Sequence, residues 1–385
     1  MTTPREGSDH APARPVLGPR VRARGPGACF ALALLATAAT AQPDPSGIDF
    51  VTIGAPGNAA YQSTNTQRLE HNRGSVAYEY KIGRYEMSTG QWVEFMNAAL
   101  NRPDPIPWVE VPTMWAGGQF APFNASPANA IRPAGGATWR TCAIFTNWLH
   151  NNKSLERAAF LSGAYDVSTF GNDGMGGFTD QQAHSPGARY WIPTMDEWLK
   201  AAHYDPSKQN PDGSVGGWWQ YSNGTDSPYV YGPPPAGEAN ADFESPNPFF
   251  IPLGSYEITS PWGLYDVAGA TVEYTETIYP TGGRTRYRVV DGSGWGLPAG
   301  DLDTIGGLGG EVPSSHLDYF GFRIAAAVPS PASGVAIAVG CIGCFGRRRR
   351  QTHEIVAPHR RGHRIVRPCA LGSARRCPVD PSQCG

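Results

Sequence analysis

Arg189–Pro206, RYWIPTMDEWLKAAHYDP, is the stretch whose reading decides the fold. Thr194-x-x-Glu197 is a capping box: the threonine hydroxyl accepts from the third helical amide, and the glutamate reaches back to the cap's own amide. Pro193 precedes it, Trp198, Leu199 and Ala202 turn one face inward, and Tyr204-Asp205-Pro206 stops the helix. Working outward, Ser88-x-x-Gln91 is a second capping box, followed by Trp92, Phe95, Met96, Ala99 and Leu100 at helical spacing. A further helix is predicted over about Thr138–His150, with Trp139, Cys142, Ala143, Thr146 and Leu149 on one face. Val76–Ile82 alternates, placing Tyr78, Tyr80 and Ile82 on one side of a strand. After Pro206 the chain reads as turns and short strands. The fold class expected is α+β, with few helices.

Composition agrees with that reading. Gly 47 and Pro 36 among 385 residues predict many turns, and 11 Trp supply the rings to pack a loop-rich core. A formal net charge of −2 gives no electrostatic case for nucleic acid as a partner. Of seven cysteines only Cys142 lies between residues 42 and 327, so that region holds neither an internal disulfide nor a thiolate metal cluster. Cys142, on a helix face, reads as a packed thiol. Residues 46–327 contain no long linker, charge run or fixed-period repeat and are expected to form one domain.

The ends read as address rather than fold. Residues 1–41 carry Arg20, Arg22 and Arg24, an apolar run from Ala28 to Ala39 and the small-x-small site Ala39-Thr40-Ala41, the pattern of a secretory signal peptide. Near the other end, Val328-Pro329-Ser330-Pro331 precedes an uncharged run, Gly334–Gly346, and the cluster Arg347–Arg350. That order resembles the PEP-CTERM sorting signal of Gram-negative bacteria, with Ser330 in place of the usual Glu. It implies export, transient membrane anchoring through residues 334–346 and handling by a C-terminal sorting machinery. Residues 351–385 form a basic tail with no apolar periodicity, expected to be disordered.

Five segments of the middle, in order, resemble the formylglycine-generating-enzyme (sulfatase-modifying factor) family. They are YKIGRYEMSTGQWVEFMNA (Tyr80–Ala98), TNWLHNNK (Thr146–Lys153), the opening stretch, PWGLYDVAGATVEY (Pro261–Tyr274) and GFRIA (Gly321–Ala325). The resemblance implies a C-type-lectin-like variant fold. Active members oxidise a sulfatase cysteine to formylglycine with copper(I) held by two cysteines between an RGGS-like segment and the terminal GFR. Here Arg288–Arg323 contains no cysteine, so copper is not expected. The family also binds Ca2+ through oxygen donors. Carried over, those donors are Asn240 and Ala241 with the carbonyls of Gly254 and Tyr256, and the Glu273 carboxylate with backbone carbonyls of the GNVWEW-like Gly269–Tyr274, Gly269 and Thr271 among them.

Other chemistry is sparse. No Gly-x-Ser-x-Gly, no Gly-Lys-Ser/Thr phosphate loop and no His-Glu-x-x-His occurs. Asp301, Asp303, Glu311 and Asp318 lie where the family builds its substrate groove, and His316 stands alone among them. Trp218, Trp219, Tyr229 and Tyr231 are candidate stacking rings for a sugar or peptide ligand. The functional expectation is an exported, non-catalytic binding or structural module at the cell envelope, its partner an exopolysaccharide, another envelope component or a protein. The alternative is an oxidase of the formylglycine-generating type with unrecognised ligands.

Overall fold

The computed structural model describes residues 44–329 apart from 114 and 282–284. The expected leader (1–41), the uncharged run 334–346 and the tail 351–385 lie outside the described residues, and the elements below belong to the unit that ends at Val328. Both capping boxes form as read. Ser88 caps α1 (Thr89–Leu100) with Gln91 reaching back, after which come the single turn α2 (Pro127–Ala130) and α3 (Trp139–His150), capped by Thr138. A further turn, α4 (Ala158–Leu161), precedes α5 (Met195–His203), where Thr194 and Glu197 cap reciprocally. The stripe expected on α3 understates its burial: every residue from Trp139 to Leu149 is buried. Arg140 is tolerated there because Asp180 takes its guanidinium through two bonds of 2.8 and 2.9 Å.

Strands are short and fall into three sheets. β1 (Phe50–Ile53), β2 (Tyr80–Gly83) and β3 (Tyr190–Trp191) are followed by the hairpin of β4 (Tyr204–Gln209) and β5 (Val215–Trp218). β6 (Val272–Tyr279), β7 (Tyr287–Asp291), β8 (Gly309–Glu311), β9 (Phe320–Gly321) and β10 (Ala325–Ala327) complete the set. One sheet is ordered β1-β2-β10-β3, the hairpin stands by itself, and the third sheet is ordered β8-β7-β6-β9, with β6 and β9 parallel. The expected strand at Val76–Ile82 is therefore shorter and shifted to Tyr80–Gly83. Val76 instead donates its amide to Asn58 Oδ1, and Tyr78 turns its hydroxyl onto Glu197. Helix α5 does stop before Tyr204, but the chain continues as β4 with Pro206 inside it. The hairpin register slips between Asp205 and Gln209, where proline has no amide to give the ladder.

Aromatic packing ties the layers together. Trp92 and Phe95 of α1 meet Phe145 and Trp148 of α3 at centroid distances of 5.2–5.7 Å, and Phe322 closes on Trp92 and Phe145 at 5.3 and 5.8 Å. The loop-rich α+β architecture expected from the sequence, the C-type-lectin-like variant of the resembled family, is the one found.

Candidate functional site

Loops beyond β6 and β7 are fixed by a buried ion pair. Arg323 follows β9 and is fully buried; its Nε lies 2.8 and 2.9 Å from the two oxygens of Glu273 on β6. The remaining guanidinium nitrogens donate to the carbonyls of Gly83, Arg84, Tyr265 and Asp266. Trp198 Nε1 adds a second donor to Glu273 at 2.8 Å. Burial pushes the Glu273 carboxyl above its usual range, and the Arg323 guanidinium pulls it back.

Asn240 performs a similar service for the next loops. Its Oδ1 accepts from the amide of Ala270, its Nδ2 donates to Pro248 O at 3.1 Å, and its own carbonyl accepts from Gly296 at 3.0 Å. Gly269 is required beside it: φ is +80°, and a Cβ there would sit 2.3 Å from Asn240 Oδ1. Leu297 O accepts from Asp242, and Trp295 donates its amide to Ala270 O, so the turn after β7 is stitched to segments 240–243 and 269–271.

A cleft of about 610 Å3 opens over this stitched turn. Its walls come from residues 243–248, from Trp295-Gly296-Leu297, from His316–Tyr319 and from Thr113. Trp295 packs on Phe249 at 5.4 Å, and its buried indole N–H has no acceptor among the described residues. Leu317 is 46% exposed at the rim. Asp318 Oδ1 accepts from the Thr113 hydroxyl at 2.6 Å, while His316 Nδ1 lies 3.7 Å from Glu110. Rings and two leucines line the cleft, and two carboxylates, an imidazole and a hydroxyl supply its polar chemistry. That combination holds a ligand by stacking and hydrogen bonding.

The cleft draws on the window Arg288–Arg323 together with residues 243–248 and Thr113, but most side chains singled out from sequence lie elsewhere. Of the four acids, only Asp318 lines it. Asp303 is buried, accepting from Ser293 N and the Tyr231 hydroxyl, and burial pushes its carboxyl up. Trp218 packs between Tyr61 and Tyr204 and donates to Ala59 O; Trp219 lies under Lys208 and donates to Asp205. Tyr229 is buried with its hydroxyl on Ser222, and Tyr231 is engaged by Asp303. These four rings do not form one exposed platform, because packing and internal hydrogen bonds hold each of them. Phe243, Trp295, Leu317 and Tyr319 are absent from the sequence reading; for the last three the clue available is their position in the Gly-rich window, and for Phe243 there is none.

The side chains and amides among the donors named for calcium have partners within the protein. Both Glu273 oxygens face the Arg323 guanidinium, and Asn240 Oδ1 accepts from the Ala270 amide. Thr271 gives its amide and hydroxyl to Glu86, at 3.0 and 2.7 Å. Gly254 donates its amide to Asp266, and Tyr256 its hydroxyl to Gly232 O, while Ala241 is buried beside Asn240. Among the described residues no three His, Cys, Asp or Glu side chains are placed to hold a metal. Cys142 is buried in α3, and burial pushes its thiol well above the usual range. No described helix is long and apolar enough to cross a membrane.

A family model described as the sulfatase-modifying factor enzyme 1-like domain matches residues 36–328 of the chain. Among solved structures the chain is similar to CarF, at 18% identity and TM-score 0.46, over 73% of this chain and 99% of that one. Variable protein 1 of Treponema denticola matches at 18% and 0.45, over 72% and 95%. PvdO from Pseudomonas aeruginosa matches at 18% and 0.44, over 74% and 97%. No curated protein sequence matches the chain.

Proposed function

Starting from a chain that belongs to the sulfatase-modifying factor enzyme 1-like family, we propose that it is a non-catalytic member that binds through the cleft above β7. It is exported through residues 1–41, is held at the envelope through residues 334–346 and acts there as a binding or structural module. Its partner is an envelope component, an exopolysaccharide or a protein. The observation that carries the reading is the composition of the cleft: the walls keep rings and amides, while Arg288–Arg323 offers no thiolate pair to a soft metal. Cys142, enclosed in α3, reaches no solvent and no cleft.

Incubating the mature protein with copper(I), oxygen and a Cys-x-Pro-x-Arg peptide tests it. The peptide should return unchanged; conversion of its cysteine to an aldehyde would establish the oxidase instead. Binding is tested on an array of exopolysaccharides and envelope glycans, with Leu317→Glu as the cleft variant. The rim position is exposed enough to accept the charge without unfolding, so loss of a captured ligand by this variant would locate its site.

A further inference from the structure

A second cavity, of about 320 Å3, lies between the segment Gly47–Asp49 and the start of α1 and shares no lining residue with the cleft. Its volume is at the lower end of the roughly 300–1,000 Å3 typical of small-molecule sites, enough for a single ring. We propose that this cavity binds one neutral pyranose unit, free or at the end of a glycan.

One side of the cavity is apolar. Ile48, Ile131 and Leu253 line it with the ring of Tyr85, and Ile131 is 52% exposed, a large aliphatic side chain left to water at the rim. Tyr85 is pre-set rather than adaptable. It stacks on Tyr265 at 5.1 Å with the planes 15° apart, and a Cβ on Gly254, whose φ is +74°, would come within 2.8 Å of its Cε1. Rigid aromatic walls recognise the C–H face of a sugar at small entropic cost.

The other side is polar but carries no free charge. The Tyr85 hydroxyl makes no hydrogen bond among the described residues, so it is open to donate and accept. Gln91 Nε2 has only a 3.4 Å contact with Gly47 O, leaving an N–H available. Both acids at the cavity are already matched: Asp49 pairs with Arg84 at 2.8 Å, and Glu86 takes the amide and hydroxyl of Thr271. A ligand here therefore needs one apolar face, a rim of groups that donate and accept, and no net charge. Pyranoses meet all three conditions, whereas a uronic acid brings a second carboxylate beside Asp49 and is disfavoured.

The test is a titration of the mature protein with D-glucose, D-galactose, D-mannose and L-rhamnose, followed by ligand-observed NMR, with D-glucuronate as the charged control. At least one neutral sugar should bind and glucuronate should not. Tyr85→Phe, which keeps the stack and removes one hydroxyl, should weaken binding about 5- to 10-fold, the equivalent of one hydrogen bond. Ile131→Glu, at an exposed position, should abolish it. Leu317→Glu in the cleft should leave it unchanged, so failure here is separable from failure of the cleft reading. The proposal is overturned if no sugar of the panel binds, if glucuronate binds as well as the neutral sugars, or if binding survives both pocket variants.

Discussion

Replacing Glu273 by Gln removes the only anion that touches Arg323 among the described residues, and the structure sets the size of the effect. Both side chains are essentially without surface, at 0% and 1% exposure, so water cannot enter to replace the lost carboxylate. Breaking a buried pair by removing one member typically costs about 3–5 kcal/mol, because the remaining charge stays buried. Four carbonyls continue to accept from the guanidinium, which places Glu273→Gln near the lower end, at about 3 kcal/mol. At about 2–4 °C per kcal/mol for a large domain, the melting midpoint should fall by roughly 6–12 °C. Thermal unfolding followed by circular dichroism, with a chelator present throughout, measures it. The double variant Glu273→Met, Arg323→Met should recover part of the loss, since it removes the unmatched guanidinium, although Glu86 and Asp266 lose a nearby cation. A fall of less than about 2 °C, under 1 kcal/mol on the same scale, would refute the clamp. So would a fall seen only in the presence of calcium, which would make Glu273 an ion ligand.

Other outcomes follow from the same contacts. Asp266, at φ +54°, has its carboxyl pushed up to about 6 by burial, against the opposing Gly254 amide and Arg323 charge. Because the folded value lies above the unfolded 3.8, its stabilising contribution is complete below pH 3.8 and is lost as pH rises through about 6. Asp266→Asn, which suits the left-handed backbone, should therefore gain about 1–3 kcal/mol on wild type between pH 4 and pH 7 in denaturant titrations; an equal difference at both pH values contradicts the assignment. Gly74→Ala would place a Cβ 2.2 Å from the ring of Trp218 at φ +81° and should cost about 2–4 kcal/mol in chemical denaturation. A thiol reagent applied to the native protein and mapped by mass spectrometry should leave Cys142 unlabelled until denaturant is added. Stripping calcium with a chelator should move the melting midpoint by less than about 1 °C, since an ion bound only to the folded state would raise it.

How much was legible depended on the distance between the groups that interact. Ser88 with Gln91, and Thr194 with Glu197, are three residues apart, so hydrogen-bond chemistry alone located the starts of α1 and α5 and nearly their ends. Helical spacing likewise placed α3, and the cysteine census of Arg288–Arg323 needed no geometry at all. Side-chain roles in the irregular half were not legible. Glu273 and Asn240 were read as oxygen donors awaiting a cation. Their actual contacts are Arg323, 50 residues away, and Ala270, 30 residues away, brought there by the path of the chain. The four rings from Trp218 to Tyr231 look available because no pattern in the sequence marks their partners, which range from Ser222, seven positions from Tyr229, to Ala59, 159 positions from Trp218. The sequence by itself determined the α+β class, the helix caps and the absence of a thiolate pair. Only the tertiary structure decided which loops meet to form the cleft, because strands this short carry no pattern that specifies their neighbours, and buried long-range pairs such as Arg323 with Gly83, 240 residues apart, set them instead.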